Sequence, residues 1–241
     1  MPSWAASGST GRGNHGEDPY LVSQLGTAYV RGLEDNGIIA TLKHFAGYAA
    51  SKAARNHAPV SMGPRELADY VVPPFESAVR VGRVRSVMNS YTDIDGIPVA
   101  SDPALLTEVL RDAWGFTGTV VSDYGAVTFL QLMHRIAATE GEAAAYALAA
   151  GLDIELPSTL CYGEPLQAEI EAGRVDEVLV DRALRRVLAQ KLELGLLDAG
   201  WSREPLDVGI DFDSAENRDI GIRIGCHSLR ERWNGSWSPA R

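Results

Sequence analysis

Residues 118–127 read GTVVSDYGAV, and this stretch gives the first indication of the fold. The β-branched pair Val120 and Val121 is typical of a buried strand in a parallel sheet, and Ser122 and Asp123 follow it directly. A carboxylate at the carboxyl end of such a strand lies where parallel α/β folds have their active sites. The alternative is that Ser122 or Asp123 caps the next helix, which for these two residues alone is the better interpretation.

Short apolar runs of the same kind recur along the chain, separated by segments of helical periodicity. They predict four strands, near residues 38–42, 84–88, 119–122 and 152–156. Regular alternation of strand and helix predicts an α/β fold with a parallel sheet and right-handed crossovers. The spacing of roughly 30 to 45 residues suits the βα units of a barrel, although an open doubly wound sheet fits the same pattern. Four units amount to half of an eightfold barrel.

Two predicted helices begin at an aspartate followed by proline, because aspartate caps a helix and proline fits its first turn. Asp18-Pro19 begins a helix that runs down to Gly37, and Asp102-Pro103 begins another. Apolar residues recur at helical spacing in the first of them: Leu21, Val22, Leu25, Ala28, Tyr29 and Leu33. Two later helices are predicted near residues 164–171 and 176–194.

Composition narrows the classes of function. The chain has 241 residues, of which 45% are hydrophobic, and a formal net charge of −10. This acidic balance argues against a nucleic-acid backbone or an anionic membrane as a partner. Cys161 and Cys226 are far apart and no Cys/His cluster occurs, so we expect neither a disulfide framework nor a structural zinc site. We expect no other metal and no cofactor. No apolar run reaches the roughly 20 residues of a membrane span, and no signal-peptide pattern opens the chain, which favours a cytoplasmic location.

The regular pattern ends near Leu197. We predict one domain over residues 1–200, followed over 201–241 by a linker and a non-native or disordered tail. From Gly221 onward, arginines and tryptophans lie among serines and glycines without helical or strand periodicity. A basic, aromatic tail can bind nucleic acid, but this one has no groove-reading motif, so we expect no nucleic-acid partner.

Polar or large side chains also mark the ends of two other predicted strands. Lys43 and His44 follow the first strand, and Met88 and Tyr91 lie at the end of the second. Because parallel strands end at one edge of the sheet, these side chains can line one pocket with Asp123. Lys43 and His44 share that pocket only if the strand twists or ends there, since neighbours on a regular strand point to opposite faces. The alternatives are surface positions for this pair and core positions for Met88 and Tyr91.

Eight short motifs follow one another along the chain: Gly11-Arg12, Gly16-Glu17-Asp18-Pro19-Tyr20-Leu21, Lys43-His44-Phe45-Ala46-Gly47, Pro74-Phe75-Glu76, Met88-Asn89-Ser90-Tyr91, Leu110-Arg111, Trp114-Gly115-Phe116-Gly118 and Val121-Ser122-Asp123. In this order and near these spacings they resemble glycoside hydrolase family 3, which includes β-glucosidases, β-xylosidases and β-N-acetylglucosaminidases. The resemblance covers about Gly11 to Asp198. The resemblance implies an α/β fold, namely a partial (β/α)8 TIM-like barrel. The chain would then cover about the second half of this barrel.

The resemblance also implies a retaining mechanism in which Asp123 is the nucleophile. A second carboxyl group then protonates the leaving oxygen and activates water. The nucleophile must stay ionised, and a cation such as Lys43 helps to keep it so. The family's sugar-binding positions fall on the following residues of this chain: Arg12, Lys43, His44, Tyr91 and Tyr124, with Arg55 and Met88 as weaker assignments.

Three features depart from the family pattern. The strands that precede the Gly-Arg motif in the family are absent, and the stretch after Arg12 is short. The acid/base glutamate of most members lies in a following α/β sandwich domain, and nothing after Asp198 matches it. Some members use a loop histidine instead, but His57 lacks the surrounding motif, and Glu155 is the substitute acid to test first.

The sequence therefore predicts an exo-acting β-glycosidase that releases a terminal non-reducing β-D-glucosyl residue by double displacement. A β-xylosidase of the same family is one alternative, and a catalytically inactive truncated fragment without its acid/base is another. The expected partner is a β-linked glucoside, xyloside or oligosaccharide, with a C-terminal sandwich domain completing the site.

Overall fold

A computed structural model gives the fold, and the structure describes residues 16–202, 211 and 213–223. By its internal contacts the chain divides into two compact units, with the boundary between Ala199 and Gly200. No helix in these described ranges is long and apolar enough to span a membrane.

In the second unit a helix runs over residues 215–223, in the segment for which we predicted a linker and a tail. Local contacts account for it, because Ser214 Oγ accepts from Asn217 N at 3.1 Å and Arg223 pairs with Asp219 at 3.1 Å. The rest of the predicted tail, residues 224–241, lies outside the described residues, so its disorder stays a prediction.

The first helix, α1 (Pro19–Glu34), begins as predicted: Asp18 Oδ1 accepts from Leu21 N at 2.8 Å. Its end at Glu34 comes before the predicted end at Gly37. The helix packs against α3 (Pro73–Arg80), where Thr27 Oγ1 and Ser77 Oγ are 2.8 Å apart. The buried face consists of Val22, Ser23, Thr27 and Val30, whereas Leu21 and Leu25 are exposed. The predicted apolar stripe is thus only partly a core face, because the small residues of α1 turn towards α3.

The sheet has three parallel strands, β1 (Thr41–Phe45), β2 (Ser86–Asn89) and β5 (Thr119–Val121), in the spatial order β1-β2-β5. Val121 also pairs in parallel with Ile154, so the strands lie side by side in chain order, as in consecutive units of a (β/α)8 barrel. A separate antiparallel pair, β3 (Asp93–Ile94) and β4 (Ile97–Pro98), forms a hairpin after β2.

The other helical segments lie between and after these strands. They are α2 (Pro64–Glu66), α4 (Ala126–Leu132), α5 (Glu140–Ala150), α6 (Glu164–Glu171) and α7 (Val178–Glu193), wider helical turns at Leu67–Val71 and Ala104–Ala113, and short turns at Tyr48–Ala50, Lys52–Ala54 and Val99–Ser101.

The boundaries of two predicted strands are wrong. The first strand covers Thr41–Phe45 rather than 38–42, because Ile38 is exposed whereas Phe45 is fully buried against Phe75 and Trp114. The predicted strand at 152–156 is reduced to a single bridge at Ile154. The shift of the first strand places Lys43 and His44 inside β1 rather than after it.

Strands β2 and β5 approach each other so closely that only glycine fits at one position. A Cβ atom on Gly118 would lie 2.1 Å from the carbonyl oxygen of Arg85, the residue before β2. Beyond this point the two strands pair through Ser86 with Thr119 and Val87 with Val120. The glycine therefore permits the strand spacing on which the sheet depends.

We predict that Gly118→Ala lowers the free energy of unfolding by about 3 kcal/mol, because backbone must move to admit the methyl group. Urea unfolding followed by circular dichroism measures the change. The control is Gly26→Ala in α1, where no atom lies within 4 Å of the added Cβ and the helix gains up to about 1 kcal/mol. Equal midpoints for the two variants would contradict the prediction.

A buried ion-pair cluster joins β5 to α7 and to the helical segment Ala104–Ala113. The carboxylate of Asp153 accepts from Arg111 Nη2 at 2.7 Å, Arg186 Nη1 at 2.8 Å and Val120 N at 2.9 Å. Burial lowers the pKa of Arg111 to about 10, although the Asp153 charge opposes that effect. Arg111 Nη1 also donates to the carbonyl oxygen of Gly118 at 3.1 Å, but Asp153 is the anion that hydrogen-bonds to this buried guanidinium.

We predict that Asp153→Asn, which keeps the shape but removes the charge, lowers the free energy of unfolding by about 3 kcal/mol or more. The matched control is Asp181→Asn, which breaks an exposed ion pair with Arg185 at 3.0 Å and costs less than about 1 kcal/mol. Chemical denaturation of both variants measures the difference. Similar costs would show that the Asp153 cluster does not hold the fold.

Candidate active site

The site lies where the parallel strands end, and its centre is the pair formed by Asp123 and His44. Asp123 follows β5, His44 belongs to β1, and His44 Nε2 lies 3.3 Å from Asp123 Oδ2. Only 8% of Asp123 and 9% of His44 are exposed. A carboxylate this deeply buried requires a compensating donor, and the imidazole supplies one.

The backbone around Asp123 is fixed on both sides. Asp123 N donates to Asn89 Oδ1 at 3.1 Å, which ties the residue to the end of β2. Tyr124 N donates to Asp123 Oδ1 at 2.7 Å, so one carboxylate oxygen is engaged locally while Oδ2 faces His44. The chain then turns through Gly125, with φ of +77°, into α4.

The helix-cap alternative for Ser122 and Asp123 is wrong. Helix α4 has no side-chain cap, and its first turn follows Gly125. Ser122 Oγ instead accepts from Leu156 N at 2.8 Å, which joins β5 to the next segment of the sheet. Asp123 is therefore free of a capping role.

The charge of His44 depends on its surroundings. Burial lowers the pKa of His44, the Asp123 carboxylate raises it, and Lys43 lowers it, with burial the largest effect. Within the described part of the chain, Nδ1 of His44 is buried without a hydrogen-bond partner. Because a carboxylate only accepts, the proton of the neutral ring belongs on Nε2, the nitrogen that lies 3.3 Å from Asp123 Oδ2.

Tyr91 forms the wall beside this pair. Its hydroxyl donates to the carbonyl oxygen of Tyr124 at 2.8 Å. Burial raises the pKa of Tyr91 well above its usual value, and the charge of Asp123 adds to that rise. The hydroxyl therefore remains a proton-bearing donor next to the carboxylate.

Aromatic rings extend this wall away from Asp123. The ring of His57 lies 4.7 Å from that of Tyr91 and 5.0 Å from that of Phe129, and Tyr91 and Phe129 are 5.3 Å apart. His134 Nε2 lies 3.0 Å from the carbonyl oxygen of Tyr91, and burial lowers the pKa of His134. The loop histidine is thus close to the candidate site, although its surrounding sequence gave little reason to expect this.

The structure brings some of the sequence-predicted residues together and leaves others apart. His44, Tyr91 and Asp123 meet, and Tyr124 contributes its backbone carbonyl, while its side chain is 60% exposed. Met88 is half-buried on β2 opposite Val121. The roles predicted for these residues in binding sugar stay predictions.

Two further predicted residues are not joined to this pair, and a third is not described. Lys43 is exposed on β1, as expected for the neighbour of a buried residue on a strand, and acts on His44 through its charge. Arg55 is exposed in the loop that follows β1. Arg12 lies outside the described residues.

Glu155, the substitute acid proposed from the sequence, is already engaged. Its two carboxylate oxygens accept from Cys161 N at 3.1 and 2.9 Å and from Tyr162 N at 2.8 Å. Only 4% of the residue is exposed. Glu155 holds the loop after the sheet, so the geometry argues against a role as proton donor.

The sequence reasoning missed Asn89, Phe129 and His134. Asn89 stands within the quoted Met-Asn-Ser-Tyr motif, but no role followed from the motif because its partner is a backbone group of a different strand. Among the described residues, no cluster of three or more histidine, cysteine, aspartate or glutamate side chains could hold a metal ion.

Parallel strands in chain order, with a buried carboxylate at their carboxyl ends, are the features of an α/β barrel domain, a class of fold whose active sites lie at the strand ends. Residues 4–190 match the Glycosyl hydrolase family 3 N terminal domain, and the chain belongs to this family.

Relatives and solved structures agree with this assignment. A β-xylosidase of Formosa agariphila is 35% identical over 237 residues, which cover 90% of this chain and 32% of that protein. The periplasmic β-glucosidase of Salmonella typhimurium is 34% identical over 193 residues, covering 78% of this chain and 25% of that protein. A crystal structure of a β-glucosidase from Listeria innocua superposes with a TM-score of 0.80 at 33% identity, covering 87% of this chain and 30% of the other.

The chain thus spans about a third or less of the length of these relatives. The matches confirm the predicted α/β class and the partial (β/α)8 barrel.

We predict that Asp123→Asn lowers the pKa of His44 further, because it removes the carboxylate that raises this pKa against the effect of burial. A titration of the imidazole signals by nuclear magnetic resonance measures the shift. His134 is the internal control, since Asp93 and His57, rather than Asp123, are the charged groups that act on it. A rise or no change in the pKa of His44 would contradict the pairing of the two residues.

Proposed function

We propose that this chain forms the nucleophile side of a retaining β-glycosidase that releases a terminal non-reducing β-D-glucosyl residue. The observation that carries the proposal is the buried Asp123 at the carboxyl end of β5, with one oxygen facing His44 Nε2 at 3.3 Å, in a family 3 barrel. A retaining glycosidase requires an ionised carboxylate at this kind of position.

In the proposed reaction Asp123 attacks the anomeric carbon and forms a covalent glycosyl-enzyme as the bond to the leaving oxygen breaks. Water then cleaves this ester with overall retention. The N–H of His44 and the N–H of Tyr124 hold the two carboxylate oxygens, so the nucleophile keeps one orientation before substrate arrives. The hydroxyl of Tyr91 borders the same space.

The proton donor is the missing part of the site. Within residues 16–202, Glu155 holds backbone N–H groups and Asp153 is neutralised by arginines, so neither is free to act as acid. We propose that the acid/base group comes from outside this range, from the sandwich domain that follows the barrel in most of the family. By resemblance to the family, we also propose that Lys43, His44 and Arg12 bind hydroxyl groups of the sugar.

A β-xylosidase is the second candidate. Proteins similar to this chain include a β-xylosidase and a putative β-xylosidase from Formosa agariphila, as well as plant and fungal β-xylosidases. A xyloside differs from a glucoside only in lacking the hydroxymethyl group on C5. Because this group is not on the anomeric carbon, Asp123 can attack either sugar in the same way.

We predict that 2,4-dinitrophenyl 2-deoxy-2-fluoro-β-glucoside labels Asp123 of the purified chain, because its leaving group departs without protonation. Mass spectrometry of the peptides locates the adduct. The xylose analogue is run in parallel, and faster labelling by it would favour the second candidate. Turnover of p-nitrophenyl β-glucoside should stay near background, since no described group protonates the poorer leaving group.

Two variants control this experiment. Asp123→Asn should give no adduct, whereas Asp112→Asn, which alters an exposed carboxylate on the segment Ala104–Ala113, should label like the unaltered chain. An adduct on any residue other than Asp123, or none with either sugar, would refute the assignment of the nucleophile.

A further inference from the structure

Asn89 is a fully buried amide at the end of β2, with 0% of its surface exposed. Its Oδ1 accepts from the backbone N–H of Asp123 at 3.1 Å, and its Nδ2 donates to the carbonyl oxygen of Ser90 at 2.6 Å. Neither contact lies on the surface, so a water molecule cannot easily replace them.

These two contacts fix the orientation of the amide group. A backbone N–H can only donate and a carbonyl oxygen can only accept, so Oδ1 must face Asp123 and Nδ2 must face Ser90. The opposite orientation would set donor against donor and acceptor against acceptor. The side chain therefore has a single arrangement in which both ends are satisfied.

The position of this contact relative to the sheet is informative. The backbone pairing of β2 with β5 ends at Met88 and Val121, two residues before the carboxylate. Beyond this pair, the backbone N–H of Asp123 donates to the Asn89 side chain instead of to a backbone carbonyl of β2. The carboxylate thus stands on backbone that is held in place after the ladder of backbone hydrogen bonds has ended.

We propose that Asn89 is a positioning residue for Asp123: its amide oxygen anchors the Asp123 backbone so that the carboxylate faces His44. Asn89 does not touch the reacting atoms. The inference rests on the proposed function for its catalytic consequence, but its structural part is measurable without any substrate. Displacement of Asp123 would have two effects: its negative charge would move away from the His44 imidazole, and its carboxylate would no longer be aligned for attack on the anomeric carbon.

The first measurement uses the unaltered chain. Hydrogen exchange followed by nuclear magnetic resonance should show the Asp123 amide protected, in contrast to the amide of the exposed loop residue Asn56. Exchange of the Asp123 amide at the rate of Asn56 would overturn the proposal, whatever becomes of the variants.

The second measurement titrates His44 in Asn89→Ala. The charged or titratable groups that face this imidazole are Asp123, Lys43 and Tyr48. We expect the pKa of His44 to fall in Asn89→Ala, in the direction that Asp123→Asn produces, because the carboxylate no longer faces the ring. An unchanged pKa of His44 in a folded Asn89→Ala chain would overturn the proposal.

A matched control separates positioning from general loss of stability. Thr119→Val removes a buried hydroxyl at the other end of β5, where Thr119 Oγ1 donates to Gln190 Oε1 at 2.9 Å. This variant should melt at a lower temperature yet leave the pKa of His44 unchanged. A fall of the same size in Thr119→Val would show that the effect is unspecific and would overturn the assignment.

The catalytic consequence is measured by labelling with the fluoroglycoside. In Asn89→Ala the fluoroglycoside should label Asp123 at least about tenfold more slowly than in the unaltered chain. The loss should fall mainly on the rate of the covalent step rather than on binding of the reagent. Labelling at the unaltered rate would overturn the catalytic part of the proposal. Absence of labelling in the unaltered chain would instead count against the proposed function, while the exchange and titration results still decide the role of Asn89.

Discussion

The site depends on the compensation of one buried negative charge. A carboxylate as enclosed as that of Asp123 is costly unless donors compensate its charge, and here His44 Nε2 and the backbone N–H of Tyr124 lie against its two oxygens. Three strands of the sheet position this carboxylate. His44 comes from β1, Asn89 from β2, and Asp123 itself follows β5. Because the parallel order β1-β2-β5 brings these three strand ends together, the chemistry of the site is a direct consequence of the topology.

The two ends of β5 serve different purposes. At its start, Gly118 lets the strand approach β2, and the Asp153 carboxylate binds Val120 N together with two arginines. After its end, the backbone N–H of Asp123 donates to the side chain of Asn89 rather than to another strand. The start of the strand therefore contributes to stability, and its end holds the candidate nucleophile, in line with the separation of stability from function in parallel α/β folds.

Sequence reasoning predicted the alternation of strands and helices and a parallel sheet from periodicity, and the family motifs implied the barrel and the candidate nucleophile, whose role stays a prediction. It placed the first strand three residues early, since an apolar run does not show where pairing begins, and Ile38 is exposed while Phe45 is buried. The role of Asn89 was out of reach for a different reason. It depends on the register between β2 and β5, and no local pattern encodes which backbone group a side chain meets across a sheet.

Two buried carboxylates at neighbouring strand ends show why position alone does not make a catalytic residue. Glu155 is as enclosed as Asp123, but backbone N–H groups of Cys161 and Tyr162 occupy both of its oxygens and tie down a loop. In Asp123, Oδ1 accepts from the backbone N–H of Tyr124, and Oδ2 lies against the imidazole of His44. A substrate carbon can compete with a single side-chain contact far more readily than with a closed set of backbone hydrogen bonds. What the oxygens already bind, rather than burial, distinguishes the candidate nucleophile from the structural carboxylate.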